Sequence, residues 1–195
     1  IWDQQLAHAG CSLMAHRRRY IEELSDKASC GYMHIADGKE QTSLEYLPAL
    51  TLPACNQEIA FLEELQAHRD QDCRQKVTTR GPHKDDILFL IDGRPLKGFG
   101  SQGQHRSFML ALKVAEMELL EETFGELPVL LLDDITSELD AKRLNNLLTL
   151  LHDKRVQVVV TTTDVRHFTQ APQHGVVRYK VEAGKLHYED MTGYE

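Results

Sequence analysis

The chain has 195 residues, 42% of them hydrophobic, and a formal net charge of -8, so it can bury a core in one or two globular domains. No run approaches the roughly 20 apolar residues that span a bilayer, and no charged-then-apolar leader opens the chain, which argues against a membrane partner and predicts a cytoplasmic protein. The acidic balance excludes extensive wrapping of duplex nucleic acid, whose non-specific affinity comes from neutralised phosphates, so any DNA contact must be local.

In chain order, residues 2–29 place Leu6, Leu13, Tyr20 and Leu24 at helical intervals with charges between them, which predicts a long amphipathic helix. Within it Arg17, Arg18 and Arg19 are followed by Glu22, Glu23 and Asp26, and the cluster reads as a solvated helix face. Cys11, Cys30, Cys55 and Cys73 form no C-x-x-C pair and are expected as reduced, mostly buried thiols. Residues 32–36 and 43–47, separated by Asp37-Gly38, fit a β-hairpin. Asn56 is a cap for a second helix running to about Lys76. The composition changes at Val77, which predicts a domain boundary dividing the chain into 1–76 and 77–195.

Residues 78–83 read as a loop, and residues 87–91 as a strand that turns at Asp92-Gly93. A glycine-rich segment then leads into a helix ending near Phe124. Met109, Leu110, Leu112, Val114, Met117 and Leu120 make that helix apolar on most faces, so burial is expected. Residues 129–132 and 156–160 are short apolar runs, the pattern of parallel strands covered on both faces. Helical spacing over residues 137–152 completes a β-α-β unit. Residues 176–181 and 186–188, joined across Ala183-Gly184, predict an antiparallel edge hairpin.

Two acids, Asp133 and Asp134, follow the first of these apolar runs, at the strand end where open α/β sheets bind ligands. Acids so placed suit a Walker B element, in which the first holds Mg²⁺ and the second orients or deprotonates the attacking water. Alternatively, the pair caps the following helix. Ser137-Glu138-Leu139-Asp140 comes directly after, as a D-loop does. Upstream, Ser101-Gln102-Gly103-Gln104 has the form of a signature motif, in which glycine and a helix N-terminus admit an anion. A plain serine cap after a flexible turn is the other reading of the same residues.

In this order the elements resemble the C-terminal lobe of ABC-type DNA-repair heads, and most closely the RecF family. The blocks that carry the resemblance are Thr79-Arg80-Gly81-Pro82-His83-Lys84-Asp85-Asp86, Phe99-Gly100-Ser101-Gln102-Gly103-Gln104, Leu130-Leu131-Leu132-Asp133-Asp134 and Val160-Thr161-Thr162-Thr163. The resemblance implies an α/β fold. Residues 77–195 would be the C-terminal lobe of a P-loop NTPase head with a mostly parallel sheet, and residues 1–76 the returning half of a helical arm or lid with a small hairpin. It further implies Asp134 as the catalytic base, Asp133 as the Mg²⁺ ligand, and Ser101, Gln102, Gly103 and Gln104 facing a nucleotide held by another subunit. Ser137, Glu138, Leu139 and Asp140 would form the D-loop, and Thr161, Thr162 and Thr163 a switch region in which threonine near Thr162 replaces the usual histidine. Asp134 stands where the wider superfamily has glutamate, which implies slow hydrolysis. His83 and His105 receive no catalytic role.

What the family does follows as expectation: an ATP- and DNA-binding recombination mediator, a weak DNA-dependent ATPase as an ATP-dependent homodimer. It would act at single-strand gaps or junctions with RecR, RecO and RecA in DNA replication, recombination, repair and the SOS response. No G-x-x-x-x-G-K-[ST] string occurs in the chain. In the family that loop precedes the arm, so a chain cut from a longer protein within the arm lacks it and is expected to have no ATPase activity alone. Two alternatives stand beside this reading. One is a non-enzymatic interaction module, which Mg²⁺-dependent nucleotide binding would separate from it. The other is an SMC-like or RecN-like head, for which the arm looks too short and without sustained heptads.

Overall fold

The computed structural model describes residues 1–38, 40–168 and 175–189, with the backbone alone at Ser137, Glu138 and His167. It divides into two compact units, Ile1–Val129 and Leu130–Glu195. The composition change at Val77 does not coincide with that division.

The first unit is organised by α1, Trp2–Ile35, which is longer than the sequence pattern suggests. Its buried face consists of Ala7, Gly10, Cys11, Met14, Ile21, Leu24, Ala28, Gly31, Tyr32 and Ile35. Leu6, Leu13 and Tyr20, expected in the core, are exposed. The reason is close approach. A Cβ on Gly10 would lie 2.4 Å from the Phe61 ring, so only a small residue fits where α2, Gln57–Ala67, crosses α1. Ala7, Cys11, Met14, Leu50, Phe61 and Leu65 form one cluster at this crossing.

Helix α1 ends without a hairpin. Asp37 and Gly38 both take positive φ, and the Gly38 N–H donates to the Met33 carbonyl, the wrapped-back closure by which a helix satisfies its last carbonyls. The predicted 32–36/43–47 hairpin is therefore absent. Residues 43–47 lie instead in β1, Thr42–Leu47, which pairs antiparallel with β2, Asp86–Ile91, from Thr42↔Ile91 to Leu47↔Asp86. A two-residue turn at Asp92-Gly93, both of positive φ, leads to the short β3, Arg94–Pro95. The predicted second helix is interrupted at His68, which separates α2 from α3, Arg69–Gln75. There the His68 Nδ1–H donates to the Glu64 carbonyl and its Nε2 accepts from Arg80.

A short turn, α4, Leu96–Phe99, precedes α5, Gln102–Phe124. Phe108, Ala111, Val114 and Ala115 of α5 are buried, whereas Met109, Leu120 and Phe124 are exposed, so the helix is buried on one side only. Tyr32 and Phe89 both meet Phe108, with ring centroids 5.9 and 5.6 Å apart. Of the cysteines only Cys11 is buried, in the cluster at the α1–α2 crossing; Cys30, Cys55 and Cys73, expected mostly buried, are exposed.

In the second unit β4, Leu130–Leu132, and β5, Val158–Val160, form the expected parallel pair, Leu130↔Val158 to Leu132↔Val160. The expected helix between them is divided into α6, Ile135–Glu138, and α7, Ala141–Asp153, because Leu139 is extended and the Asp140 carboxylate caps a new start by accepting from Arg143 N. Leu144, Leu147 and Leu151 of α7 are buried. The strands are not covered on both faces: Leu131 is 72% exposed and Val159 49%. A separate hairpin, β6, Arg178–Glu182, and β7, Lys185–Glu189, turns at Ala183-Gly184, both of positive φ, as expected. Among the described residues no helix is long and apolar enough to cross a membrane.

Candidate functional site

Residues 101–104 form a capping box at the start of α5. The Gln104 backbone N–H donates to Ser101 Oγ at 3.2 Å, and the Ser101 N–H donates to Gln104 Oε1 at 2.7 Å. This arrangement satisfies two donors of the first turn and stabilises the helix start by about 1 kcal/mol. The cap leaves Ser101 its hydroxyl proton. Gln102 at N1 and Gly103 at N2 keep backbone N–H groups outside the intrahelical ladder, as any helix start does. Cap and anion-facing loop are thus compatible uses of one sequence. Gln104 also reaches backwards: its Nε2 donates to Glu40 Oε1 at 2.8 Å, while Tyr32 Oη–H donates to Glu40 Oε2. Sequence reasoning missed Glu40 and Tyr32, since no local pattern joins residue 40 to residue 104.

The Thr79–Asp86 block has a structural role within the first unit. Its Asp85 carboxylate, with a side chain only 3% exposed, receives Arg17 at 3.1 Å, the Tyr46 hydroxyl, and the Ala49 N–H at 2.9 Å. Arg17 also donates to the Pro82 carbonyl. It is therefore half-buried and bonded, while Arg18 and Arg19 match the solvated face expected of the cluster. Burial, followed by the hydrogen bond to Asp85, pushes the Tyr46 hydroxyl up to about 12. Thr79 donates through both N–H and hydroxyl to Asp72, and the side-chain bond holds that carboxyl below its ordinary value. His83 Nε2 meets the Thr78 carbonyl at 2.8 Å and so acts within its own loop.

In the second unit Asp133 and Asp134 leave the C-terminal end of β4, where the neighbouring end of β5 supplies Thr161. The Thr161 hydroxyl donates to Asp133 Oδ1 and accepts the Asp134 N–H at 3.1 Å. One hydroxyl thereby fixes both acids. Asp134 adopts φ 45, ψ 40, a left-handed conformation that short polar residues tolerate best. Thr162 Oγ lies 3.0 Å from Thr136 Oγ, donates to the Asp164 carbonyl at 3.1 Å and accepts the Asp164 N–H at 3.0 Å, so its hydroxyl is engaged within the loop. Thr163 is exposed. Leu139 is buried, and Asp140 caps α7. The side chains of Ser137 and Glu138 lie outside the described residues.

Both acids are exposed. Two adjacent carboxylates and a hydroxyl are hard oxygen donors, the kind of partial set with which Mg²⁺ combines waters and phosphate oxygens. A cage of three or more acidic, histidine or cysteine ligands is absent among the described residues; Mg²⁺ does not require one. The arrangement suits holding a hydrated cation at Asp133 and a water beside Asp134.

No family model matches the chain. It is 48% identical over 190 residues to the DNA replication and repair protein RecF of Trichlorobacter lovleyi, across 97% of this chain and 52% of that protein. It is likewise similar to a solved structure of the recombination mediator protein RecF with ATP, in the RecFOR pathway, with a TM-score of 0.73 and 29% identity over 96% of this chain and 49% of that one. A structure from work on ATP-driven dimerisation and DNA-stimulated activation of SMC ATPases shares the fold, with a TM-score of 0.54 at 14% identity over 91% of this chain and 89% of that one. The chain spans about half the length of the curated relatives it matches.

Proposed function

We propose, from the premise that this chain belongs to the RecF family of DNA replication and repair proteins, that it supplies the signature and acid-bearing lobe of an ATP-driven DNA-binding head. Residues 77–195 provide that lobe, and residues 1–76 the returning part of an arm. The observation that carries the proposal is the pairing of Asp133 and Asp134 from β4 with Thr161 from β5, an acid pair held at the open ends of two parallel strands.

In this reading the complete protein binds ATP. Asp133 is the residue that would hold Mg²⁺, whose charge supplies electrostatic stabilisation to the transferring phosphoryl group. Asp134 takes a proton from water as its oxygen attacks the γ-phosphorus and ADP leaves. Ser101 and the free N–H groups of Gln102 and Gly103 face the nucleotide of a second copy, and Gln104 keeps that loop in place. Leu139 and Asp140 set the position of the chain between Ser137, Glu138 and the facing subunit, and Thr161 to Thr163 form the switch region. The fused activity is that of a DNA-gap or junction mediator working as an ATP-dependent homodimer in the bacterial cytoplasm, with RecR as partner and RecO and RecA in the same recombination and SOS pathway.

Asp134→Asn in the full-length protein tests the central assignment. The amide keeps the shape and removes the base, so single-turnover hydrolysis falls at least a hundredfold while ATP affinity stays within about threefold. Unchanged turnover places the base elsewhere.

A further inference from the structure

Glu40 is the point at which two otherwise separate features meet. It follows the left-handed Asp37-Gly38 end of α1 in sequence, and its carboxylate contacts the first turn of α5 in space. Each oxygen has a different partner. Oε2 takes the hydroxyl of Tyr32, a fully buried residue of α1 whose ring lies against Phe108 of α5. Oε1 takes the Gln104 amide group, whose other end accepts the Ser101 N–H. The polar chain therefore runs by direct hydrogen bonds from Tyr32 through Glu40 and Gln104 to the backbone of Ser101. An unanchored capping glutamine samples several rotamers; this one is held at both ends.

We propose that Glu40 is a positioning residue that couples the C-terminal end of α1 to the Ser101–Gln104 loop, so that the loop presents its N–H groups to a facing nucleotide only while α1 is seated against α5. The inference rests on the reading of residues 101–104 as a signature acting on a second subunit. Movement of α1 relative to α5 draws Glu40 away from Gln104, frees the glutamine and loosens the Ser101 amide. The residue makes no contact with nucleotide itself.

The discriminating variant is Gln104→Glu in the full-length protein. Glutamate serves a capping box as well as glutamine does, so the helix start is retained, but a second carboxylate now faces Glu40. ATP-dependent dimerisation, read by sedimentation, should weaken at least tenfold, with ATP affinity of the monomer unchanged and faster amide hydrogen exchange at Ser101. Glu40→Ala should do the same. Gln104→Glu combined with Glu40→Gln restores one donor between two acceptors and should return dimerisation to within threefold of the starting protein. Wild-type behaviour of both single variants, or failure of the exchanged pair to restore the dimer, overturns the coupling. Ser101→Arg separates the two levels of the argument: a normal ATP-dependent dimer in that variant overturns the signature reading itself, whereas loss of the dimer there alongside unaffected Gln104→Glu and Glu40→Ala overturns only the role of Glu40.

Discussion

The two compact units solve the problem of burial differently. Residues 1–129 gather large aromatic side chains inward, although Leu6, Leu13, Met109 and Phe124 stay exposed: Tyr32, Phe61 and Phe108 are fully buried, and even the carboxylate of Asp85 has its partners inside the unit. Residues 130–189 expose apolar strand residues, Leu131 and Val159 on the parallel pair and Tyr179, Val181, Leu186 and Tyr188 on the hairpin. By the recorded pairing Tyr179 opposes Tyr188 and Val181 opposes Leu186, so those four share one hairpin face. The second unit has its own buried residues in Ile135, Leu144, Leu147 and Leu151, but its acids stand on strands with an open face.

That contrast can be broken by mutation. Asp85→Ala leaves Arg17, the Tyr46 hydroxyl and the Ala49 N–H without their common acceptor, and should destabilise the first unit by about 3 kcal/mol in denaturant unfolding. A loss below about 1 kcal/mol would mean that solvent replaces the carboxylate, and that the unit is less closed than its contacts imply. Gly10→Ala forces the Phe61 ring aside and should cost about 2 kcal/mol. Gly31→Ala, where the new Cβ meets Ala111 at ordinary distances of 3.6 to 3.8 Å, should instead stabilise by about 0.5–1 kcal/mol through helix propensity. Equal effects at the two glycines would remove the distinction drawn between the ends of the α1 seam.

The ionisation of Tyr46 sharpens the same picture. Its folded pKa is raised, to about 12 from an ordinary value of 10.0, so the folded state holds the phenolic proton more tightly than the unfolded chain. Its contribution is fully present below about pH 10 and is lost as pH rises towards 12. The stability difference between the starting protein and Tyr46→Phe should narrow across that window; a constant difference would show that neither burial nor the Asp85 carboxylate holds the phenolic proton. The smallest effect belongs to the second unit. Leu131→Ser, at an exposed position, should change the stability of this chain by less than about 0.5 kcal/mol, and a loss above about 2 kcal/mol would show that the face is covered within the chain.

The legible parts of the fold are those set by local rules. The capping residues before α5, the positive-φ turns at Asp92-Gly93 and Ala183-Gly184, and the apolar runs of β4 and β5 follow from neighbouring residues alone. The α1 seam is not legible in the helical spacing of the large apolar residues, because the close crossing by Phe61 selects Ala7, Gly10 and Cys11. The partner of β1 is hidden for a related reason: Asp37-Gly38 turns a hairpin or ends a helix with the same chemistry, and the true partner lies some forty residues on. At the candidate site, Asp133, Asp134 and Ser101 stood out by type and spacing. The contacts that fix them, Thr161 on the acids and Glu40 on Gln104, are long-range and appear only in three dimensions.

The left-handed backbone of Asp134 has a consequence for any attempt to lengthen its acid. Lengthening the acid to glutamate would extend its reach by one methylene, but it would also place a residue with little local hydrogen-bonding capacity at φ 45, ψ 40, at a cost of about 1 kcal/mol. The backbone would tend to relax into an ordinary helical start and withdraw its N–H from Thr161. A longer arm on a displaced shoulder gains little, and extra reach needs its compensating change in the turn itself before any change in the acid.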